Sequence, residues 1–191
     1  MHCIGYRPRP PVPIVTAALR RGLECGAMKD ARPTPVTEAI AALGGYDAIL
    51  DARSPGGFAQ DHLPGAISTP VLSDEERVRV GTIYKQQGAF EAKRIGAAIV
   101  SRNIANILDG PLAGVGRNWR PLVYCWRGGN RSGALATVLA RIGWQVSVLE
   151  GGYREFRRQV VAELAALPCD KRFVVVAGRT GSGKSLLLER L

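Results

Sequence analysis

The spacing of apolar residues along the chain sets up an alternation of helices and strands that begins near Thr34. A short helix is expected over Thr37–Leu43, closed by Gly44 and Gly45. A strand over Tyr46–Ala52 follows, with Asp51 and Arg53 at its end. A Gly- and Pro-rich turn region, Ser54–Pro64, leads to a short strand around Ala66–Thr69. From Ser73 or Asp74 to Leu108 the pattern is helical, with Ile95, Ile99, Ile104 and Leu108 recurring on one face. The loop Asp109–Arg120 delivers the chain to a buried strand, Pro121–Tyr124, which places Cys125 at its carboxyl end. A helix over Arg131–Ile142, a strand over Gln145–Leu149 and an amphipathic helix over Tyr153–Leu167 complete the rhythm before Pro168 breaks it. Strands alternating with helices predict an α/β fold with a parallel sheet covered on both faces.

The rhythm restarts after Arg172. The apolar run Phe173–Ala177 predicts a strand, Gly178–Ser185 a Gly-rich turn and Leu186–Leu191 a helix start, the opening of a second α/β domain cut short. Residues 1–27 hold four of the twelve prolines and a short apolar stretch, Val12–Leu19, that Pro13 interrupts and that Arg20 and Arg21 follow, so they are not read as a secretory signal. They read as a flexible arm or an over-extended start, which leaves 28–170 as the first domain and 171–191 as the beginning of the second.

Hydrophobic residues make up 46% of the 191 and charged residues 22%, enough apolar surface to bury a core and too much for a disordered chain. No apolar run approaches the eighteen or so residues that span a membrane. The formal charge is +10, so polyanions such as nucleic acid or phosphorylated ligands are favoured partners. Between Arg117 and Arg172 ten basic residues stand against four acidic ones. Gathered on one face they would suit an RNA backbone, and spread over an exposed helix, as Arg154, Arg157 and Arg158 would be, they would only be solvated. Cys3, Cys25, Cys125 and Cys169 are widely spaced, with no metal-ligand or disulfide pattern, which fits a reducing, cytoplasmic setting and no resident metal.

The strongest chemical signal is Tyr124-Cys125-Trp126-Arg127-Gly128-Gly129-Asn130-Arg131-Ser132, placed at a strand-to-helix turn. Glycines there let successive N–H groups converge on one point at a helix N-terminus, and such a nest stabilises a thiolate. Arg127 and Arg131 add positive charge. Cys125 is therefore expected to be an activated nucleophile whose surrounding amides hold an oxyanion, a persulfide or a perselenide. Trp126 could stack on a nucleobase or pack against the sheet. The Cys-to-Arg spacing also matches a tyrosine-phosphatase loop, although Tyr124 precedes the nucleophile and no Asp is evidently placed to protonate a leaving group. His62 before a Pro-Gly turn reads as structural, and Asp51 as a carboxylate that ties down a loop. Gly178–Ser185 satisfies G-x-x-x-x-G-K-[ST]: the amides around Gly178, Gly181 and Gly183 would cradle a diphosphate, Lys184 would neutralise it and Ser185 would reach Mg²⁺. Without the rest of its domain this cradle is expected to be a remnant.

Asp51-Ala52-Arg53-Ser54-Pro55, Phe58 and His62-Leu63-Pro64-Gly65-Ala66-Ile67 resemble the rhodanese signature, in which a cysteine carries sulfur. With Glu75–Lys85, the Cys125 loop and Glu150-Gly151-Gly152-Tyr153, the chain from about residue 34 to 191 resembles the tRNA 2-selenouridine synthase family, which joins a rhodanese domain to a P-loop domain. The loop departs from that pattern at Asn130, where Met is more usual. The resemblance implies that sulfur in the wobble 2-thiouridine of tRNA is replaced by selenium, with selenophosphate as donor and a geranylated intermediate made from geranyl diphosphate. Cys125 would carry the selenium, Arg131 and the amide nest would hold the anionic donor, and Asp51, Arg53 and His62 would support the site. The P-loop would bind the diphosphate of a nucleotide or of the prenyl donor. A standalone sulfurtransferase, a cysteine phosphatase and a non-catalytic RNA-binding fragment are the alternatives these residues leave open.

Overall fold

The computed structural model describes residues 30–166 and 175–190. Five strands form one all-parallel sheet: β1 (Arg32–Thr34), β2 (Ala48–Asp51), β3 (Ala66–Ser68), β4 (Pro121–Tyr124) and β5 (Ser147–Leu149), in the order β1-β5-β4-β2-β3. β4 lies at the centre with all four residues buried, which is why it reads as a continuous apolar run. The helices are α1 (Val36–Ala41), α2 (Pro55–Gln60), α3 (Asp74–Gln87), α4 (Ala89–Asp109), α5 (Asn130–Ile142) and α6 (Gly152–Ala166), with α7 (Lys184–Leu188) in the second segment. No helix of the described residues is long and apolar enough to cross a membrane.

Side chains of a strand alternate between the two faces of the sheet, and this alternation sorts the core. Leu50 and Val123 join Ile104, Ile107, Leu135 and Leu139 on the α4/α5 face. Ile49, Leu122, Tyr124 and Leu149 join Val36, Ala39 and Tyr153 on the α1/α6 face. Cys125 has the parity of Val123 and belongs to the α4/α5 core.

The predicted α/β architecture is present, and four elements differ from expectation. β1 has too few residues for a readable pattern; it lies on the sheet edge, where the N–H that Pro33 lacks is not needed. The turn region Ser54–Pro64 contains α2, whose first residue, Pro55, suits a helix start because its missing N–H would have no intrahelical partner. The single helical region from Ser73 to Leu108 is two helices: Gly88 adopts φ +96° between them and folds α4 back along α3. Of the strand expected over Phe173–Ala177, Phe173 and Val174 lie outside the described residues, and Val175–Ala177 have no regular structure. A strand exists by pairing its backbone groups, and no partner strand is present beside this one among the described residues. The expected N-terminal arm, residues 1–27, lies outside the described residues.

Candidate active site

The carboxyl ends of β2 and β4 lie side by side, with Asp51 opposite Tyr124. Beyond them the Ala52 N–H still donates to the Tyr124 carbonyl at 2.9 Å, and Cys125 begins the turn into α5. The turn is closed from outside by α6. The Tyr153 N–H donates to the Cys125 carbonyl at 2.8 Å and the Arg154 N–H to the Trp126 carbonyl at 3.1 Å. The first amides of one helix thus take two loop carbonyls, which leaves the loop's own N–H groups free to face the thiol. Only glycines permit this approach. A Cβ on Gly152 would lie 2.2 Å from the Cys125 carbonyl oxygen, and one on Gly128 would lie 2.7 Å from that of Leu149. Both residues also have positive φ, +60° and +65°.

Cys125 is 3% exposed. Burial alone would push its thiol up. The Ser132 hydroxyl and the backbone N–H groups of Ser132, Arg127 and Gly129 outweigh that and hold it below the ordinary thiol value. The Ser132 oxygen lies 3.2 Å from both Cys125 Sγ and the Gly129 carbonyl oxygen, so its one proton is shared between them. The positive end of the α5 dipole faces the same point. The site is therefore built to carry a negative charge on sulfur, or on an atom attached to it.

A cleft of about 830 Å³ opens beside the thiol between the Cys125 loop and the α3–α4 hairpin. Its hairpin wall is mainly apolar, including Val80, Tyr84, Ala92 and Val100, with Leu72 just before α3, while Arg77, Lys93, Arg127 and Arg131 add cations. No Asp or Glu is among the described residues that line it. Trp126 is 40% exposed in this cleft, its ring centroid 5.8 Å from that of Tyr153, so it neither packs into the sheet nor stands unsupported.

The supporting residues separate into two roles. Asp51 and Arg53 form a fully buried pair: Arg53 Nε donates to both carboxylate oxygens, at 3.0 and 2.9 Å, and Nη2 to Oδ2 at 2.6 Å, while the Arg53 N–H donates to Oδ1 at 2.9 Å. The guanidinium stacks over the Tyr153 ring at 4.2 Å and donates to the Asp61 carbonyl. The Tyr153 hydroxyl donates to the Asp61 carboxylate and holds that carboxyl below its ordinary value. Burial, together with Asp61, pushes the phenol up to about 12. This network braces the start of α6 behind the loop and does not line the cleft. His62 is exposed, stacked on Phe58 at 4.0 Å with Nδ1 2.9 Å from the Phe58 carbonyl oxygen, and it is not among the residues that line the cleft.

A rhodanese-like domain model matches residues 35–159, nearly the whole of this sheet and its loop. The chain belongs to the rhodanese-like domain family. Curated relatives of this rhodanese chain include proteins named tRNA 2-selenouridine synthase from Nitrosomonas europaea and a Sulfurovum species. They are 37% identical over 73% and 35% identical over 75% of the chain. The chain spans 37% and 40% of their lengths. A crystal structure of the N-terminal domain of a Clostridium difficile 630 protein, described as ATP/GTP-binding, is 35% identical with a TM-score of 0.58. It covers 67% of this chain and 98% of that one.

The rhodanese fold thus brings together Cys125, Trp126, Arg127, Gly128, Gly129, Asn130, Arg131 and Ser132 as expected from their sequence order. Gly152 and Tyr153 were legible as a motif but not as the outer wall of the loop, since that role depends on two carbonyls more than twenty residues earlier, those of Cys125 and Trp126. Glu75–Lys85 on α3 was legible as a motif, but not as a wall of the cleft, which it forms only by packing with α4 beside the Cys125 loop. In the second segment, Gly181 and Gly183 have φ of +82° and +78°, and Lys184 Nζ donates to the carbonyls of Gly178 and Arg179 at 2.8 and 2.7 Å. Ser185 sits in the first turn of α7.

Proposed function

We propose that this chain performs chalcogen transfer for a tRNA 2-selenouridine synthase acting in the cytoplasm, in which selenium replaces sulfur in the wobble 2-thiouridine of tRNA. The observation that carries the reading is the acidified Cys125 thiol, whose Sγ faces three backbone amides and Ser132 and borders an open cleft. The cradle suits the terminal anion of a Cys125 persulfide or perselenide and the tetrahedral head of selenophosphate. The apolar hairpin wall suits the hydrocarbon of a geranylated thio-intermediate, which water would not stabilise. Geranyl diphosphate, or a nucleotide with Mg²⁺, would meet the amides of Gly178–Ser185, with Lys184 turning from loop carbonyls to phosphate oxygens.

A standalone sulfurtransferase is the second reading, because the same cradle accepts sulfur from any sulfane donor. With thiosulfate, the Cys125 thiolate would attack the outer sulfur, and sulfite would leave with the electron pair of the broken S–S bond. A phosphatase needs an acid for the leaving group, and the absence of Asp and Glu from the described cleft lining weighs against it. The test is intact-protein mass spectrometry after exposure to selenophosphate, thiosulfate or an aryl phosphate in turn. A sulfur adduct on Cys125 after thiosulfate, missing in Cys125→Ser, is expected. With selenophosphate, thiolate attack on selenium would break the P–Se bond and phosphite would leave with its electron pair, so a Cys125-dependent selenium adduct with release of phosphite separates the first two readings. Turnover of the aryl phosphate alone would replace both with a phosphatase.

A further inference from the structure

α3 is fourteen residues long and buries none of them. Yet it carries Val78 and Tyr84, 60% and 59% exposed, and Phe90, just past the Gly88 junction, is 75% exposed. Large apolar groups left in water on one hairpin that also walls a reactive cleft mark a surface awaiting a partner.

The charges around them define its chemistry. The acidic residues of the hairpin are engaged or remote. Glu76 closes the α3 capping box and accepts from Asn103, an Asp74 oxygen accepts the Gly56 N–H at 2.8 Å, and Glu91 is paired with Arg94. The cations bordering the cleft are freer: among the described residues Lys93, Arg127 and Arg131 form no ion pair, and Arg77 only a 4.0 Å contact with Asp74. Aromatic faces set among unpaired cations, with no carboxylate between them, fit a single-stranded nucleic acid, which offers phosphates and flat bases together.

We infer that the α3–α4 hairpin and the Cys125 loop form an RNA-docking cleft. One unstacked base lies against Trp126 and Tyr84, and the flanking phosphates lie on Arg77, Lys93, Arg127 and Arg131. The inference deepens the tRNA reading above and rests on it. A base in this position presents its ring substituents to Cys125, the neighbour of Trp126 in the chain. The cleft volume of about 830 Å³ admits a nucleotide. The competing surface is the exposed basic side of α6, with Arg157 and Arg158.

The test is fluorescence anisotropy with a labelled anticodon stem-loop carrying a wobble 2-thiouridine, compared with the same strand closed into a duplex by its complement. The stem-loop is expected to bind more tightly, with log K falling against log salt at a slope of about −3, as four phosphate contacts on a single strand would give. Tyr84→Ala is expected to weaken it about tenfold through lost stacking. Lys93→Ala should reduce the slope by about 0.7. Arg157→Glu with Arg158→Glu should leave the affinity unchanged. Urea midpoints confirm that each variant is folded, which their exposed positions favour. If the α6 changes abolish binding and the hairpin changes do not, the docking surface is α6 and this inference is wrong, while the synthase reading stands. If the native chain takes up sulfur on Cys125 but binds neither RNA, the tRNA reading falls as well.

Discussion

The contact of Gly152 with the Cys125 loop can be broken by a single methyl group. In Gly152→Ala the new Cβ would stand 2.2 Å from the Cys125 carbonyl oxygen, 2.5 Å from the Gly128 nitrogen and 2.9 Å from the Arg127 nitrogen. All three are backbone atoms, so no side chain can rotate away. The residue would also keep an unfavourable φ of +60°, a strain of about 1–3 kcal/mol. Relief requires α6 to withdraw, which loses the bonds from Tyr153 and Arg154 to the loop carbonyls at about 0.5–1.5 kcal/mol each. A destabilisation of about 2–6 kcal/mol follows, together with a loosened amide cradle. Urea unfolding followed by circular dichroism measures the first effect, and the pH dependence of Cys125 alkylation measures the second. Gly65→Ala is the control: its φ is +73° but no atom lies within 4 Å of the new Cβ, so only backbone strain of about 1–2 kcal/mol is expected, with an unaltered thiol. Equal urea midpoints for the two variants, with a native thiol titration in Gly152→Ala, would refute the claim that α6 shapes the site.

Three further outcomes are expected. Ser132→Ala removes a donor to Cys125 Sγ and should move the alkylation midpoint upward, toward an ordinary thiol. Because the native thiol pKa is depressed, its stabilisation of the fold is present above the unfolded-state pKa and is lost as pH falls through the native one. The stability difference between native protein and Ser132→Ala should therefore narrow toward acid, as urea titrations at a series of pH values would measure. Arg53→Met leaves the Asp51 carboxylate buried without its partner and should cost about 3–5 kcal/mol in denaturant unfolding, whereas a double replacement with Asp51→Leu should recover much of it. Gly88→Ala forces a side chain into φ +96°, ψ 173°, a region essentially reserved for glycine, though no distant atom lies within 4 Å of the new Cβ, so thermal unfolding should show a loss of about 1–3 kcal/mol.

The parallel α/β fold was legible because its central strands are buried on both faces, which leaves apolar runs such as Pro121–Tyr124 that polar turns delimit. β1 was not legible, since three residues on a sheet edge need no pattern; their place comes from pairing with β5. The Gly88 break was hidden because helical periodicity continues on both sides of it. His62 and Asp51 were read as structural from their settings, and the Phe58 stack and the Arg53 pair account for both.

Residues adjacent in the chain are enough to specify the cradle around Cys125, because a strand end, glycines and a helix start that follow one another need no distant partner to form a nest. What that nest does to the thiol depends on contacts between segments distant in the chain. The acidity of Cys125 depends on loop amides kept facing inward, which in turn depends on α6 taking the Cys125 and Trp126 carbonyls from a segment more than twenty residues later. The cleft is likewise a product of packing: its apolar wall comes from α3 and α4, its cations from both the hairpin and the loop, and no single stretch of sequence contains them together.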